Sequence, residues 1–243
     1  SKPFAGTFAA NGFDRRAFLP SYGMAEVCVG LSFRDPLSGV RLDRFIDPSS
    51  GRSRDFVLCG KVIDGHAVEI RDRDGRVLGA RAIGRLFVRG PSVMPGYIRA
   101  ATEGETPVRD GWLDTGDLGY WCDDELVITG RAKDLIIVNG RNVWPQDIEW
   151  TVGALNPGGR GDCCAFSIEV DDTEKVIVLA EFRPETAAER DALEGRIRQA
   201  VKETTGLESQ VYLVGRRPGL PRTTSGKLAR TAARARFLSG AYG

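Results

Sequence analysis

A single histidine, His66, stands in 243 residues, and that scarcity removes Ser/His/Asp hydrolysis as a default and any zinc site that needs two or three imidazoles. An excess of one charge is missing too. Thirty-four Lys and Arg face 33 Asp and Glu, a net charge of +1, so no overall field draws a polyanion such as duplex nucleic acid. No apolar run reaches the ~18 residues of a membrane span. The amino terminus has no basic stretch leading into an apolar one, as a secretory signal would. The five cysteines, Cys28, Cys59, Cys122, Cys163 and Cys164, form no CxxC pair. An odd count with one vicinal pair fits free thiols in a reducing, cytoplasmic compartment. The chain also begins at Ser1 rather than Met, which we expect to mark a boundary inside a longer polypeptide.

What is present is glycine, 30 residues of it, set between short apolar runs. Residues 41–62 read as turn-rich. Short antiparallel strands are expected at 67–70, 77–78 and 86–88, punctuated by Asp74-Gly75 and Gly90-Pro91. Residues 118–121 and 126–129 flank Cys122-Asp-Asp-Glu125 as a hairpin, and a run at 135–138 ends at the turn pair Asn139-Gly140. The pattern then changes. Pro145 suits the first position of a helix over 145–153, with Asp147 and Glu149 favoured by its dipole. Strands over 165–170, 176–182 and 210–214 alternate with a helix over 187–204 closed by Gly206, and a last helix over 227–238. The expected fold class is α+β: a β-rich segment of residues 1–132 followed by a smaller α+β domain of residues 133–243, joined near Arg131–Asp134.

Three places carry chemistry. The run Pro221-Arg-Thr-Thr-Ser-Gly-Lys227 sets small residues and an ammonium ahead of a helix, which suits either an anion site or a plain N-cap by Ser or Thr. It is not a Walker loop: Gly219 and Gly226 are seven apart, and Leu228 follows the lysine where Ser or Thr would meet magnesium. From Gly215 to Arg236 there are seven basic residues and no acidic one, either a solvated helix face or a surface for an acidic partner. Trp112-Leu-Asp-Thr-Gly-Asp117 enters the hairpin and Gly130-Arg131 leaves it, so the hairpin returns Arg131 towards Asp117. That pair serves as a structural ion pair or as a clamp for ribose hydroxyls. Ser21-Tyr-Gly-Met-Ala-Glu26 offers a ring, a glycine allowing close approach, and a carboxylate for a hard cation.

In order and spacing, Tyr22-Gly-Met-Ala-Glu26, Gly111-Trp-Leu-Asp-Thr-Gly-Asp117, Gly130-Arg-Ala-Lys-Asp134, Gly140-Arg-Asn-Val-Trp-Pro-Gln-Asp-Ile-Glu149 and Pro221-Arg-Thr-Thr-Ser-Gly-Lys227 resemble the later core motifs of the adenylate-forming superfamily. The Gly140–Glu149 run is most similar to the fatty acyl-AMP ligase branch, and Arg89-Gly-Pro-Ser-Val-Met-Pro-Gly-Tyr97 resembles a further family motif. The resemblance implies that ATP and a fatty carboxylate give an acyl adenylate, and that a phosphopantetheine thiol of an acyl carrier protein, or coenzyme A, then takes the acyl group. Such chemistry needs no histidine, because it works by positioning and charge neutralisation. It further implies nucleotide binding by Ser21, Tyr22, Gly23, Met24, Asp117 and Arg131, magnesium at Glu26, a hinge at Lys133, and Lys227 as the catalytic lysine between carboxylate and α-phosphate.

The family's early Ser/Thr/Gly-rich phosphate loop has no counterpart here. The resemblance therefore implies the C-terminal portion of such an enzyme: the barrel-like end of the large domain, then the small mobile domain, inactive in adenylation alone. An acyl-CoA or aryl-CoA synthetase is the alternative enzyme, and a carrier-docking or nucleotide-binding module is the alternative without catalysis. No nucleic acid or membrane span enters any of these readings.

Overall fold

The computed structural model describes residues 2–48, 51–97, 108–138, 141–156, 162–170, 173–215, 219–224 and 226–242. The chain divides into two compact units, Ser1–Lys133 and Asp134–Gly243. Both combine sheet with little or more helix, and the fold class is α+β as expected.

The first unit opens with α1 (Lys2–Phe8), then β1 (Ser21–Tyr22), β2 (Ser32–Phe33), β3 (Leu42–Ile46), β4 (Ser53–Val57), β5 (Lys61–Val62), β6 (Ala67–Arg71), β7 (Gly84–Arg89), β8 (Val108–Arg109), β9 (Trp112–Cys122) and β10 (Glu125–Arg131). The main sheet runs β10-β9-β7-β6 with β8 on β9, a half-barrel flanked by the β1-β2-β5 sheet and the β3-β4 hairpin. Residues 41–62, read as turn-rich, thus hold three strands. Their alternation is masked because only Phe45 and Phe56 turn inward from β3 and β4 while Leu42, Ile46 and Val57 stay exposed. Val77, expected in a strand, makes only an isolated bridge to Arg71. The 118–129 hairpin forms, longer than expected at both ends.

Two irregularities in this sheet position the site. Between β9 and β10 the register slips by one residue after Ile128, so Arg131 stands opposite Asp117. Between β7 and β9 the ladder breaks after Arg85 and resumes at Phe87 opposite Asp114. Bulges of this kind re-aim side chains where pairing stops. The sequence Asp114-Thr-Gly-Asp117 supplies what the break needs: Gly116 takes the left-handed conformation, φ +71°. Side chains replace the missing ladder bonds. Thr115 Oγ1 donates to the Leu86 carbonyl at 3.0 Å and accepts from Asp117 N at 3.0 Å, while Asp114 Oδ1 accepts from Gly116 N at 3.0 Å.

The second unit contains β11 (Ile136–Val138), β12 (Arg141–Val143), α2 (Pro145–Gly153), β13 (Cys163–Val170), β14 (Thr173–Ala180), α3 (Ala187–Thr205), β15 (Ser209–Leu213) and α4 (Arg230–Leu238). The turn assigned to Asn139-Gly140 lies outside the described residues. β13 and β14 are antiparallel, and β14 and β15, joined across α3, are parallel. Alternate residues of β13 and β14 feed two cores. Cys163, Ala165, Val176 and Val178 pack with Ile148, Val152, Ile197 and Val201 of α2 and α3, whereas Cys164, Phe166, Ile177 and Leu179 pack with Ala233 and Phe237 of α4. A sheet covered on both faces requires the continuous apolar runs seen there. Thr186 and Glu189 form a reciprocal cap at the start of α3.

Candidate functional site

Asp117 sits at the bulge with 5% of its surface exposed. The Tyr22 hydroxyl donates to its Oδ2 at 2.5 Å and Arg131 Nε meets its Oδ1 at 2.9 Å. A carboxylate offers about four lone-pair positions, so these two contacts are compatible with accepting ribose hydroxyls as well. Burial, then the charge of Asp117, pushes the Tyr22 phenol well above its ordinary range, so its proton stays available for donation. Neither the Tyr22 contact nor the bulge was legible in the sequence, since residues 22 and 117 are distant in the chain.

The segment after Tyr22 folds back tightly. Met24 O accepts from Val27 N and Val29 N, and Leu31 N donates to Tyr22 O at 2.9 Å. A Cβ at Gly23 would fall on the Val29 carbonyl oxygen, so only glycine fits there. Ser21 is exposed and pairs with Phe33, while Met24 packs into the cluster of Val27, Leu31, Val88 and Leu113. Glu26 is held from a second segment: the Tyr97 hydroxyl donates to its Oε1 at 2.8 Å and Met94 N donates to its carbonyl at 2.9 Å. Tyr97 closes the Arg89–Tyr97 motif, whose part in holding Glu26 the sequence did not disclose. Among the described residues no group of three His, Cys, Asp or Glu gathers to bind a metal. A lone carboxylate is still the kind of donor that suits Mg2+, which keeps several waters and takes the rest of its ligands from phosphates.

Lys133 ends the first unit, and Lys227 belongs to the second. Lys227 is exposed at the end of a closed loop. Thr223 N donates to Lys227 O at 2.8 Å, Lys227 N to Thr223 Oγ1 at 3.2 Å, and Gly226 N to Thr223 O at 2.9 Å. Ser225 lies outside the described residues. This closure corrects the helix expected from 227: α4 starts at Arg230, and its N-cap is Ala229 without a side-chain cap, not Thr or Ser. The loop is tethered to the sheet by Leu220 N, which donates to Glu181 Oε1 at 2.6 Å, and by an ion pair of Arg222 with Asp162.

Of the basic run over 216–236, open to reading as a solvated helix face or as a surface for an acidic partner, Arg230 is withdrawn from both. Arg216 and Arg217 lie outside the described residues. Arg230 is largely buried in an ion network, with Nη1 on Asp134 at 2.6 Å, Nη2 on Glu149 at 2.8 and 3.0 Å, and Nε on the Ala165 carbonyl at 3.1 Å. Glu149 Oε1 also accepts from Ala165 N at 3.1 Å. Glu149 ends the motif similar to fatty acyl-AMP ligases, and its carboxylate thus fastens α2 to β13 and α4.

A family model described as AMP-binding enzyme matches residues 3–98. A Caulobacter vibrioides protein named "Putative acyl-CoA synthetase" is 44% identical over 100% of this chain and 45% of its own length. The medium-chain-fatty-acid–[acyl-carrier-protein] ligase JamA of Moorena producens is 33% identical over 98% of this chain and 44% of its own. A solved structure from structural and functional studies of fatty acyl-adenylate ligases from E. coli and L. pneumophila superposes with a TM-score of 0.85 at 34% identity, covering 99% of this chain and 45% of that one. The fold is the one seen in those fatty acyl-adenylate ligase structures. The chain belongs to the AMP-binding enzyme family, and it spans less than half the length of these relatives. No helix among the described residues is long and apolar enough to cross a membrane.

Proposed function

We propose that this chain is the C-terminal portion of an ATP-dependent fatty acyl-AMP ligase, which activates a fatty carboxylate as its acyl adenylate and passes it to the phosphopantetheine thiol of an acyl carrier protein. The observation that carries the reading is Asp117 at the β9 bulge, held between the Tyr22 hydroxyl and Arg131 Nε. Asp117 accepts the ribose hydroxyls, Arg131 supports the ribose or the α-phosphate, and Ser21, Tyr22, Gly23 and Met24 shape the adenine side. Glu26, steadied by Tyr97, holds Mg2+, which when bound neutralises phosphate charge. Residues 1–132 close the large adenylation domain, Lys133 is the hinge, and residues 133–243 are the small domain that brings in Lys227. Its ammonium offsets the charge that builds between the carboxylate and the α-phosphate in the transition state. Five free thiols suit a reducing cytoplasm.

The similarity to a carrier-protein ligase and to fatty acyl-adenylate ligase structures supports this acceptor. The name of the Caulobacter relative supports a second reading, an acyl-CoA synthetase. Offering coenzyme A and a holo carrier protein to the enzyme that contains this chain separates the two by which thiol receives the acyl group. In the same enzyme Lys227→Ala is expected to lower kcat for ATP–pyrophosphate exchange by about 100-fold or more while changing KM for ATP by less than about threefold. Lys133→Pro is expected to spare one half-reaction and impair the other. An unchanged exchange rate in Lys227→Ala removes the lysine from the mechanism, and equal losses in both half-reactions remove the hinge from Lys133.

A further inference from the structure

Beside Asp117 lies a cavity of about 290 Å³, lined by Arg85, Gly116, Arg131, Ala132 and Lys133. Three of its five lining residues are cationic, and each of its arginines holds a carboxylate, Asp114 or Asp117. Arg85 Nε donates to Asp114 Oδ1 at 2.7 Å, and Arg131 Nε forms an ion pair with Asp117 Oδ1 at 2.9 Å. Both contacts use the same edge of the guanidinium. Among the described residues the terminal Nη groups of Arg85 and Arg131 have no protein partner, and Lys133 has no ion-pair partner. Two guanidiniums oriented through Nε, each with its Nη fork uncommitted, match the paired oxygens of a phosphate, and an adjacent ammonium adds a point charge. The arginines reach the cavity from β7 and from the end of β10, on either side of the β9 bulge.

We propose that this cavity is a phosphate site, with Arg85 and Arg131 supplying the forks and Lys133 the third positive charge. Arg85 has no part in the ligase reading, so the site extends that reading and fails separately from it. The phosphate can come from a nucleotide or from a free inorganic anion. Because Lys133 lines the cavity, an anion held there ties the residue proposed as the hinge to the first unit.

The test is calorimetric and NMR titration of the chain with sodium phosphate and, separately, AMP, each against sodium chloride at matched ionic strength. Saturable phosphate binding is expected, weakened about tenfold or more in Arg85→Gln and less in Arg85→Lys, which keeps the charge and loses the fork. Arg109→Gln, an exposed arginine of the same unit outside the cavity lining, should bind like the parent. If AMP and phosphate bind without competing, the site and the nucleotide clamp are separate and the ligand is the free anion. If AMP competes with phosphate, binds more tightly and loses that advantage in Asp117→Asn, the ligand is the phosphate of a nucleotide. Equal phosphate binding by Arg85→Gln and the parent overturns the proposal, as does a chloride titration that reproduces the phosphate shifts. Neither failure touches the exchange assay on Lys227.

Discussion

Two arginines anchor carboxylates in this chain, and they differ in how many donors they keep back. Arg230, 13% exposed in its side chain, commits every edge of its guanidinium to protein: Ala165 O, Asp134 and both oxygens of Glu149. Arg131, 52% exposed, gives Nε to Asp117 and presents its remaining donors to a cavity. A saturated, desolvated guanidinium is a structural rivet, whereas one fixed along a single edge is oriented and still able to bind. Electrostatics follow the same division. Burial pulls the Arg230 pKa down, but Glu149 and Asp134 more than offset this and leave it raised, so the charge is permanent and internally spoken for.

The largest effect expected from this contrast is on stability. Arg230→Ala leaves Asp134 and Glu149 without their cation in a largely buried setting, a change that costs about 3–5 kcal/mol where buried pairs are broken. Hydrogen exchange in β13 and α2 should rise towards that of the unfolded chain, with β6, β7 and β9 unaffected. A loss below about 1 kcal/mol by urea unfolding would mean that the network is solvated in solution, and the contrast with Arg131 would collapse.

The opposite pattern is expected for Arg131→Gln. A half-exposed ion pair contributes about 1 kcal/mol or less to folding, so unfolding should barely change while the affinity for AMP falls about tenfold or more. Loss of stability comparable with that of Arg230→Ala, with AMP affinity intact, would make Arg131 a rivet too.

How far the sequence discloses this difference depends on the range of the interaction. The hairpin strands, α2, α3 and the Asp117–Arg131 pairing are legible because periodicity, Pro145, the Thr186 cap and the spacing of two motifs across one turn are local signals. The one-residue slip at Ile128 is not, although it decides that Arg131 faces Asp117. Nothing local sets Arg230 apart from the rest of its basic run, because its counter-charges, Asp134 and Glu149, lie far back in the chain. The start of α4 was misplaced for a related reason: the Thr223–Lys227 loop closes on itself, and no residue of that stretch advertises the closure. The Glu26–Tyr97 contact joins two motifs that the resemblance treats separately.

The smallest effect, absent at neutral pH, sharpens the view of the first unit. Two phenols there donate to carboxylates at 2.5 Å, Tyr22 to Asp117 at the site and Tyr120 to Asp43 in the core. Burial first, and the carboxylate second, raises both above the ordinary value of 10.0. The sign follows from linkage: a proton held more tightly in the folded than in the unfolded chain contributes stability that is complete below pH 10.0 and lost as pH rises above it. Tyr22 and Tyr120 should stay un-ionised in a spectrophotometric titration past that pH until the unit unfolds. Tyr22→Phe should remove part of the alkaline loss of stability, and Tyr120→Phe another part. Because Tyr22 borders the exposed Arg131 while Tyr120 is fully buried, a nucleotide that engages Asp117 should delay the ionisation of Tyr22 and leave Tyr120 where it was. Ionisation of Tyr22 and Tyr120 near pH 10.0 with the chain still folded would show that Asp117 and Asp43 are solvated, and would remove Tyr22 as a fixed donor at the site.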